Sequence, residues 1–221
     1  GGAWATGTFP PAGTDEFPSA LTADLEIDSD ADGALDLMIP DVFFTGPTEV
    51  QRSDPGDGID TDSDGSIEAE QLPLPPATPA PEPDGRREID TKITSMVLTG
   101  NLPGIGPIMI KADPGKKSKG AIEQESPPPA PDFPAESFFD VFGVIEGTPY
   151  GPLRNDAPAR MKATINEIPP FGSEYVSEGT TDFKDQYGVT RVRLRHLAHK
   201  VLGGPIVGGQ AGLVSGPALR S

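Results

Sequence analysis

Apolar residues occupy every second position in several separated segments of this chain. In 19–27, for example, Leu21, Ala23, Leu25 and Ile27 alternate with more polar neighbours. A period of two places the apolar side chains on one face of a strand, whereas a helix requires a period of about 3.6. The chain also has 27 glycines and 27 prolines, a composition that favours turns between short strands.

This patterning predicts about eight to ten strands and no helix. The predicted strands are 19–27, 34–44, 48–52, 86–99, 107–111, 120–124, 137–146, 159–168 and 189–201. The second half of 189–201 is also compatible with a helical turn. Because turn signals separate the segments, we expect an all-β fold, an antiparallel β-sandwich-like domain with long Pro/Gly-rich loops.

The expected domain organisation follows from the segments that lack this alternation. Residues 1–18 are predicted to be an extended N-terminal arm, and 203–221 a glycine-rich C-terminal tail. The β-sandwich-like domain is expected over 19–202. A strap with six prolines, 72–83, favours an extended polyproline conformation and is a candidate domain boundary.

Negative charge is concentrated in the first third of the chain. The net charge is −17, and residues 1–70 contain 17 acidic side chains but a single basic one, Arg52. Such a surface repels phosphates, so binding to nucleic acid is not expected. No apolar run reaches the roughly 18 residues of a membrane-spanning helix. The chain has no cysteine and starts at Gly1, so we expect a secreted protein whose signal peptide has been removed and which lacks disulfides.

Two acidic runs, 28–33 and 60–65, both read D-x-D-x-D-G. Three carboxylates at alternate positions, closed by a glycine at the sharp turn, suit a loop that wraps Ca²⁺ in oxygen ligands. Mg²⁺ is less suited, because it keeps its waters. The predicted ligands are Asp28, Asp30, Asp32, the Ala34 carbonyl and Asp36 in the loop 28–39, and Asp60, Asp62, Asp64, the Ser66 carbonyl and Glu68 in the loop 54–70.

These runs resemble the calcium loops of EF-hands, dockerin modules and thrombospondin type 3 repeats. The bidentate Glu at position 12 of an EF-hand loop is replaced here by Ile39 and Gln71. We therefore expect Asp41, Asp57, Glu70 or water to complete the ligand shell. The resemblance implies a calcium-stabilised loop, and no helical pattern flanks either run.

Three further segments carry a second resemblance, to a group of large exported bacterial proteins. They are SFFDVFGVIE from residue 137, RNDAPARMKATINEIPP from residue 154, and VRLRHLAHKV from residue 192. This resemblance implies secretion and a β-rich domain, and it implies no particular reaction.

Residues for catalysis form no recognisable constellation in the sequence. The two histidines, His196 and His199, are predicted to lie on the surface, because no third zinc ligand accompanies them. Asp140 and Glu146 are the carboxylates considered for a hydrolase. There is no G-x-S-x-G or phosphate-binding loop, so we do not expect an enzyme.

The leading hypothesis is a calcium-stabilised extracellular structural protein that self-assembles into a filament, sheath or surface layer. Its acidic first third and its basic C-terminal stretch are complementary in charge, so copies are expected to associate head to tail. The alternative is a calcium-dependent adhesion or carbohydrate-binding module with a cell-surface glycan as partner. A secreted hydrolase domain is the least favoured possibility.

Overall fold

A computed structural model describes residues 7–56, 86–126 and 129–203 of the chain. The predicted second calcium loop, the proline-rich strap and the glycine-rich tail lie outside these residues. Within the described residues, no helix has the length and apolar character needed to cross a membrane.

The described residues form twelve β-strands. They are β1 (Gly13–Ile27), β2 (Leu37–Arg52), β3 (Glu88–Leu102), β4 (Gly106–Ala112), β5 (Ser118–Gln124), β6 (Ala135–Val141), β7 (Gly143–Glu146), β8 (Leu153–Asn155), β9 (Ala159–Ile165), β10 (Glu174–Ser177), β11 (Thr181–Lys184) and β12 (Thr190–Val201). All pairings between them are antiparallel.

The strands form one sheet with eight positions, which we call lanes. Four lanes contain one long strand each, and the other four contain two short strands placed end to end. β4 and β5 both pair with β3, and β7 and β6 continue alongside them. β8 and β9 form the next lane, and β11 and β10 the one after it. β12 pairs with both β10 and β11 on one side and with β1 on the other. The sheet is therefore an up-and-down meander that closes on itself.

The prediction of an all-β antiparallel class is confirmed, since two walls of the sheet face each other across one core. The predicted strands 34–44 and 48–52 form one continuous strand, β2, and β1 begins six residues before the predicted position 19. The segment 189–201 is a strand throughout its second half and contains no helical turn. The sequence analysis missed β8, β10 and β11, which have three or four residues each.

The interruptions within the lanes are held by side chains. Asn155 is buried at the end of β8, where its Nδ2 donates to the carbonyls of Val141 and Ala157 and its Oδ1 accepts from the Gly143 N–H. It thereby replaces the ladder bonds that the breaks between β6 and β7 and between β8 and β9 remove. The predicted strand 137–146 is therefore two strands, β6 and β7, which are separated at Phe142.

A bulge in β12 determines which residues of that strand face inward. Thr22 pairs with Ala198 and Asp24 with Arg195, so Ala23 alone opposes two residues of β12. His196 takes the extra position with a φ of 48°. Because the bulge shifts the alternation by one residue, the inward series continues with Leu197 and the residues two and four positions after it.

The end of the closed sheet that contains β4, β7, β8 and β11 is filled by side chains. Its most buried members, each no more than 2% exposed, are Leu25, Ile27, Leu102, Ile108, Ile145 and Leu153. This end is the solid part of the core. The other end, which contains β5, β6, β9 and β10, is not completely filled.

Gly46 allows β2 and β3 to approach closely. A Cβ atom at this position would lie 1.9 Å from the Val97 carbonyl oxygen. We expect Gly46→Ala to lower the free energy of unfolding by about 1–3 kcal/mol or more, because overpacking moves the backbone. Denaturant unfolding measures this, with Gly179→Ala as control, since nothing lies within 4 Å of that site. Equal stabilities of the two variants would contradict the strand register.

Candidate functional site

A cavity lies inside the incompletely filled end of the closed sheet. Its volume is about 80 Å³, on a scale on which one water molecule needs about 10–15 Å³. Twenty-five of the described residues line it. Six of them are polar, one is a glycine, and the others have apolar side chains. The apolar wall includes Val50, Ile122, Phe139, Met161 and Leu197. Closed sheets of about eight strands hold either side chains or one small ligand, and this interior does both.

Two chain segments cover this end of the sheet. The segment after β9 contributes Ile168 and Pro170 to the cavity wall, and it is attached to the end of β12 because the Gly172 N–H donates to the Val201 carbonyl at 2.8 Å. Near the start of the described chain, Phe9 is buried against Phe133. Both segments therefore pack over this end of the sheet and narrow the opening of the cavity.

Six polar residues line the cavity, and four of them are hydrogen-bonded within the protein. Asp15 pairs with Arg52. Thr48 Oγ1 is 2.9 Å from the Ser19 hydroxyl, and the Tyr175 hydroxyl is 2.9 Å from the Ser137 hydroxyl. The two serines are partners of the lining residues and do not line the cavity themselves. The charges of the ion pair cancel, so this set leaves no net charge in the wall.

The two remaining polar residues of the wall are Thr91 and His199. Each has a buried side-chain atom without a hydrogen-bond partner among the described residues. Thr91 is only 4% exposed, and its Oγ1 is buried without a partner. The Nε2 of His199 is likewise sealed from solvent and unpartnered. Native proteins rarely leave buried polar groups in this state, so both groups are candidates for contact with a ligand.

Burial holds two ionisable groups of the cavity wall, His199 and Tyr175, in their neutral forms. Desolvation lowers the pKa of His199 to about 4, because the imidazolium would lose its hydration. Desolvation also raises the pKa of Tyr175 to about 12, against the opposing effect of its bond to Ser137. At neutral pH the wall therefore presents an uncharged imidazole and an uncharged phenol.

The sequence analysis placed both histidines on the surface, and this is wrong for His199. The His196 side chain is 81% exposed and bonds Asp24 through Nδ1 at 2.8 Å. His199 lines the cavity instead. The physical reason is the bulge at His196, since regular alternation from Leu194 would place His199 on the outer face. A single positive-φ residue in a strand leaves no clear signal in the sequence.

The first acidic run is the hairpin loop between β1 and β2. Carboxylate oxygens of Asp28, Asp30 and Asp32 lie within 4.8 Å of one another. Asp28 is fully buried, whereas the other two are exposed. Gly33 has a φ of 93°, a conformation that favours glycine. The predicted calcium loop thus brings together three of its five predicted ligand residues.

The Asp28 carboxylate already has partners within the protein. Its oxygens accept from the Ala31 and Gly33 N–H groups at 2.8 and 3.0 Å, and it forms an ion pair with Arg191. Arg191 also bonds Asp185 at 2.9 Å and lies 4.9 Å from the centre of the Tyr150 ring. A guanidinium therefore supplies positive charge beside the predicted calcium position.

The other predicted ligands lie apart from this group or outside the described residues. Both oxygens of Asp36 accept from Ser29, which lowers the Asp36 pKa through the backbone bond first and the hydroxyl bond second. Ala34 is exposed in the loop, and Asp41 lies on β2, where its N–H donates to Asp24. The predicted ligands that the structure does not describe are Asp57, Asp60, Asp62, Asp64, Ser66, Glu68 and Glu70.

Comparison with known proteins supports the fold alone. No family model matches the chain, and no curated protein matches it. The chain is similar to the structure of DynF from the dynemicin biosynthesis pathway of Micromonospora chersina, with a TM-score of 0.64 and 17% identity. The match covers 92% of this chain and 87% of DynF, so it includes the closed sheet as a whole.

His199 should make stability depend on pH. The pKa of His199 is about 6.5 in the unfolded chain and about 4 in the folded chain. The stability due to neutral His199 is therefore complete above about pH 6.5 and is lost as the pH falls to about 4. We expect this loss to be about 3 kcal/mol, and smaller in His199→Gln. Urea unfolding across this range measures it. His196→Gln is the matched control, and an equal pH dependence in all three proteins would contradict neutral burial of His199.

Calcium should stabilise the folded chain if the acidic loops bind it. At about a hundredfold excess over Kd, a single site contributes about 2.7 kcal/mol, which calorimetric melting resolves. Asp30→Asn with Asp32→Asn should remove the part due to the first loop, and Asp60→Asn with Asp62→Asn the part due to the second. A melting temperature that responds neither to calcium nor to a chelator would contradict calcium binding at both loops.

Proposed function

We propose that this protein binds a small, predominantly apolar molecule inside its closed sheet. The single observation that carries the proposal is the cavity of about 80 Å³ within an otherwise packed interior. Protein interiors are normally filled, and an unfilled apolar volume loses dispersion contacts. A ligand in the cavity would restore these contacts and exclude water from the wall.

Binding without turnover fits the cavity better than catalysis. Its one acidic lining residue, Asp15, is paired with Arg52. The carboxylates considered for a hydrolase are engaged elsewhere, since Asp140 pairs with Arg160 and Glu146 with Lys111. General acid–base catalysis requires a group whose pKa lies near the working pH. The prediction of a non-enzyme therefore stays part of the proposal.

The likeness to DynF is compatible with this role. DynF comes from the dynemicin biosynthesis pathway. This argument is an analogy between folds, and a fold hosts many functions. The cavity residues of this chain carry the proposal by themselves.

Calcium binding at the β1–β2 loop is our second proposal. It is supported by the approach of the Asp28, Asp30 and Asp32 oxygens to within 4.8 Å. Arg191 already neutralises part of this charge, so calcium would reinforce a preformed loop and would not be required to fold it. In this proposal, the ion stabilises the hairpin and has no catalytic role.

An extracellular location, self-assembly, and adhesion to a glycan all stay predictions from the sequence. Every described strand has a hydrogen-bonded neighbour on both sides. Assembly by adding a strand to an edge therefore finds no free edge in this part of the chain. Assembly through the complementary charges of the two ends needs no such edge and is tested by sedimentation at high concentration.

Filling the cavity should abolish binding of an apolar ligand. We expect the uncharged fluorescent probe N-phenyl-1-naphthylamine to bind the protein, and Ala159→Phe, on the cavity wall, to weaken binding by about tenfold or more, which corresponds to about 1.4 kcal/mol. Fluorescence titration measures this. Ala198→Phe is the control, because Ala198 lies between two inward residues of β12. Unchanged affinity in a folded Ala159→Phe variant would contradict binding in the cavity.

A further inference from the structure

We infer that the ligand is an uncharged molecule with an apolar body and at least one oxygen-bearing polar group, which hydrogen-bonds to His199 Nε2 or Thr91 Oγ1. This inference rests on the proposed function and defines the chemical class of the ligand. It follows from an inventory of the polar atoms in the cavity wall.

The first step concerns charge. Among the described residues, the only charged groups in the wall are Asp15 and Arg52, which neutralise each other. Arg52 Nε also donates to the Pro11 carbonyl at 2.9 Å. A charged ligand would lose its hydration without gaining an opposite charge in the wall, so its binding is weakened. A carboxylate or an ammonium ion is therefore disfavoured inside the cavity.

The second step concerns hydrogen bonds. Thr48 and Tyr175 already have partners in Ser19 and Ser137. Thr91 and His199 are the lining residues with buried, unpartnered polar atoms in the described part of the chain. A pure hydrocarbon would leave both atoms without a partner, whereas an oxygen-bearing group can form a hydrogen bond with either of them.

The third step concerns placement. Thr91 lies on β3 and His199 on β12, which are three lanes apart around the closed sheet. The two groups thus approach the cavity from different walls. A rigid molecule with a single hydroxyl would be oriented by whichever group it reaches, while its apolar body packs against residues such as Met161 and Ile122.

Four naphthalene probes of matched shape test the inference: naphthalene, 2-naphthol, 2-naphthoate and protonated 2-(aminomethyl)naphthalene. Titration at neutral pH should give the tightest binding for 2-naphthol. We expect naphthalene to bind about three- to tenfold more weakly, the effect of one neutral hydrogen bond, and both ions to bind more weakly still.

Two variants separate the contributions of the two groups. Thr91→Val and His199→Phe remove the unpartnered atoms while keeping the volume apolar. The two substitutions together should abolish the preference for 2-naphthol over naphthalene, and each one alone shows how much of it that group provides. Because each also removes an unsatisfied buried group, neither should lower the melting temperature of the ligand-free protein. Phe139→Leu, which alters an apolar wall residue, should leave the preference unchanged.

The outcomes distinguish this inference from the proposed function. Equal affinities for naphthalene and 2-naphthol, or tighter binding of 2-naphthoate, would overturn the inferred ligand class and leave cavity binding intact. A preference for 2-naphthol that survives in the variant carrying both substitutions would also overturn it. Failure of all four probes and of N-phenyl-1-naphthylamine to bind would contradict the proposed function itself.

Discussion

The antiparallel pairing of β1 with β12 is the interaction on which the rest of the structure depends. It runs from Ser19 opposite Val201 to Ile27 opposite Val192 and joins the first and last lanes of the meander. Closure satisfies the backbone groups that an open edge would expose, and it turns one face of every strand into a shared interior. Without it there would be neither an enclosed core nor a cavity.

The two ends of this interior differ in how completely side chains fill them. One end is packed by large aliphatic side chains such as Leu25 and Ile145, as stability requires. At the other end, the protein keeps empty space and two buried polar atoms without partners, on Thr91 and His199. Both features cost stability. Departures of this kind are typical of functional sites, where selection for binding outweighs selection for packing.

The alternation of residues in the sequence was sufficient to predict the long strands, because each buries one face along most of its length. It could not predict the closure, since the β1–β12 partners are about 170 positions apart and nothing local encodes their pairing. Short strands such as β8 (Leu153–Asn155) have too few residues to show a period. The cavity was missed because it depends on this closure, and His199 was placed on the wrong face because the bulge at His196 shifts the alternation of β12. The acidic loop was recognisable from its spacing, whereas its contact with Arg191 depends on the fold.

Methyl NMR of the four methionines tests the central claim, that a ligand occupies the interior of the closed sheet, most directly. Met96 and Met161 line the cavity, whereas Met38 is 48% exposed on β2 and Met109 lies outside the wall. On titration with 2-naphthol, the account predicts shifts of the Met96 and Met161 methyl signals, with those of Met38 and Met109 unchanged. Shifts confined to Met38 and Met109 would show binding at the outer surface and would contradict the account.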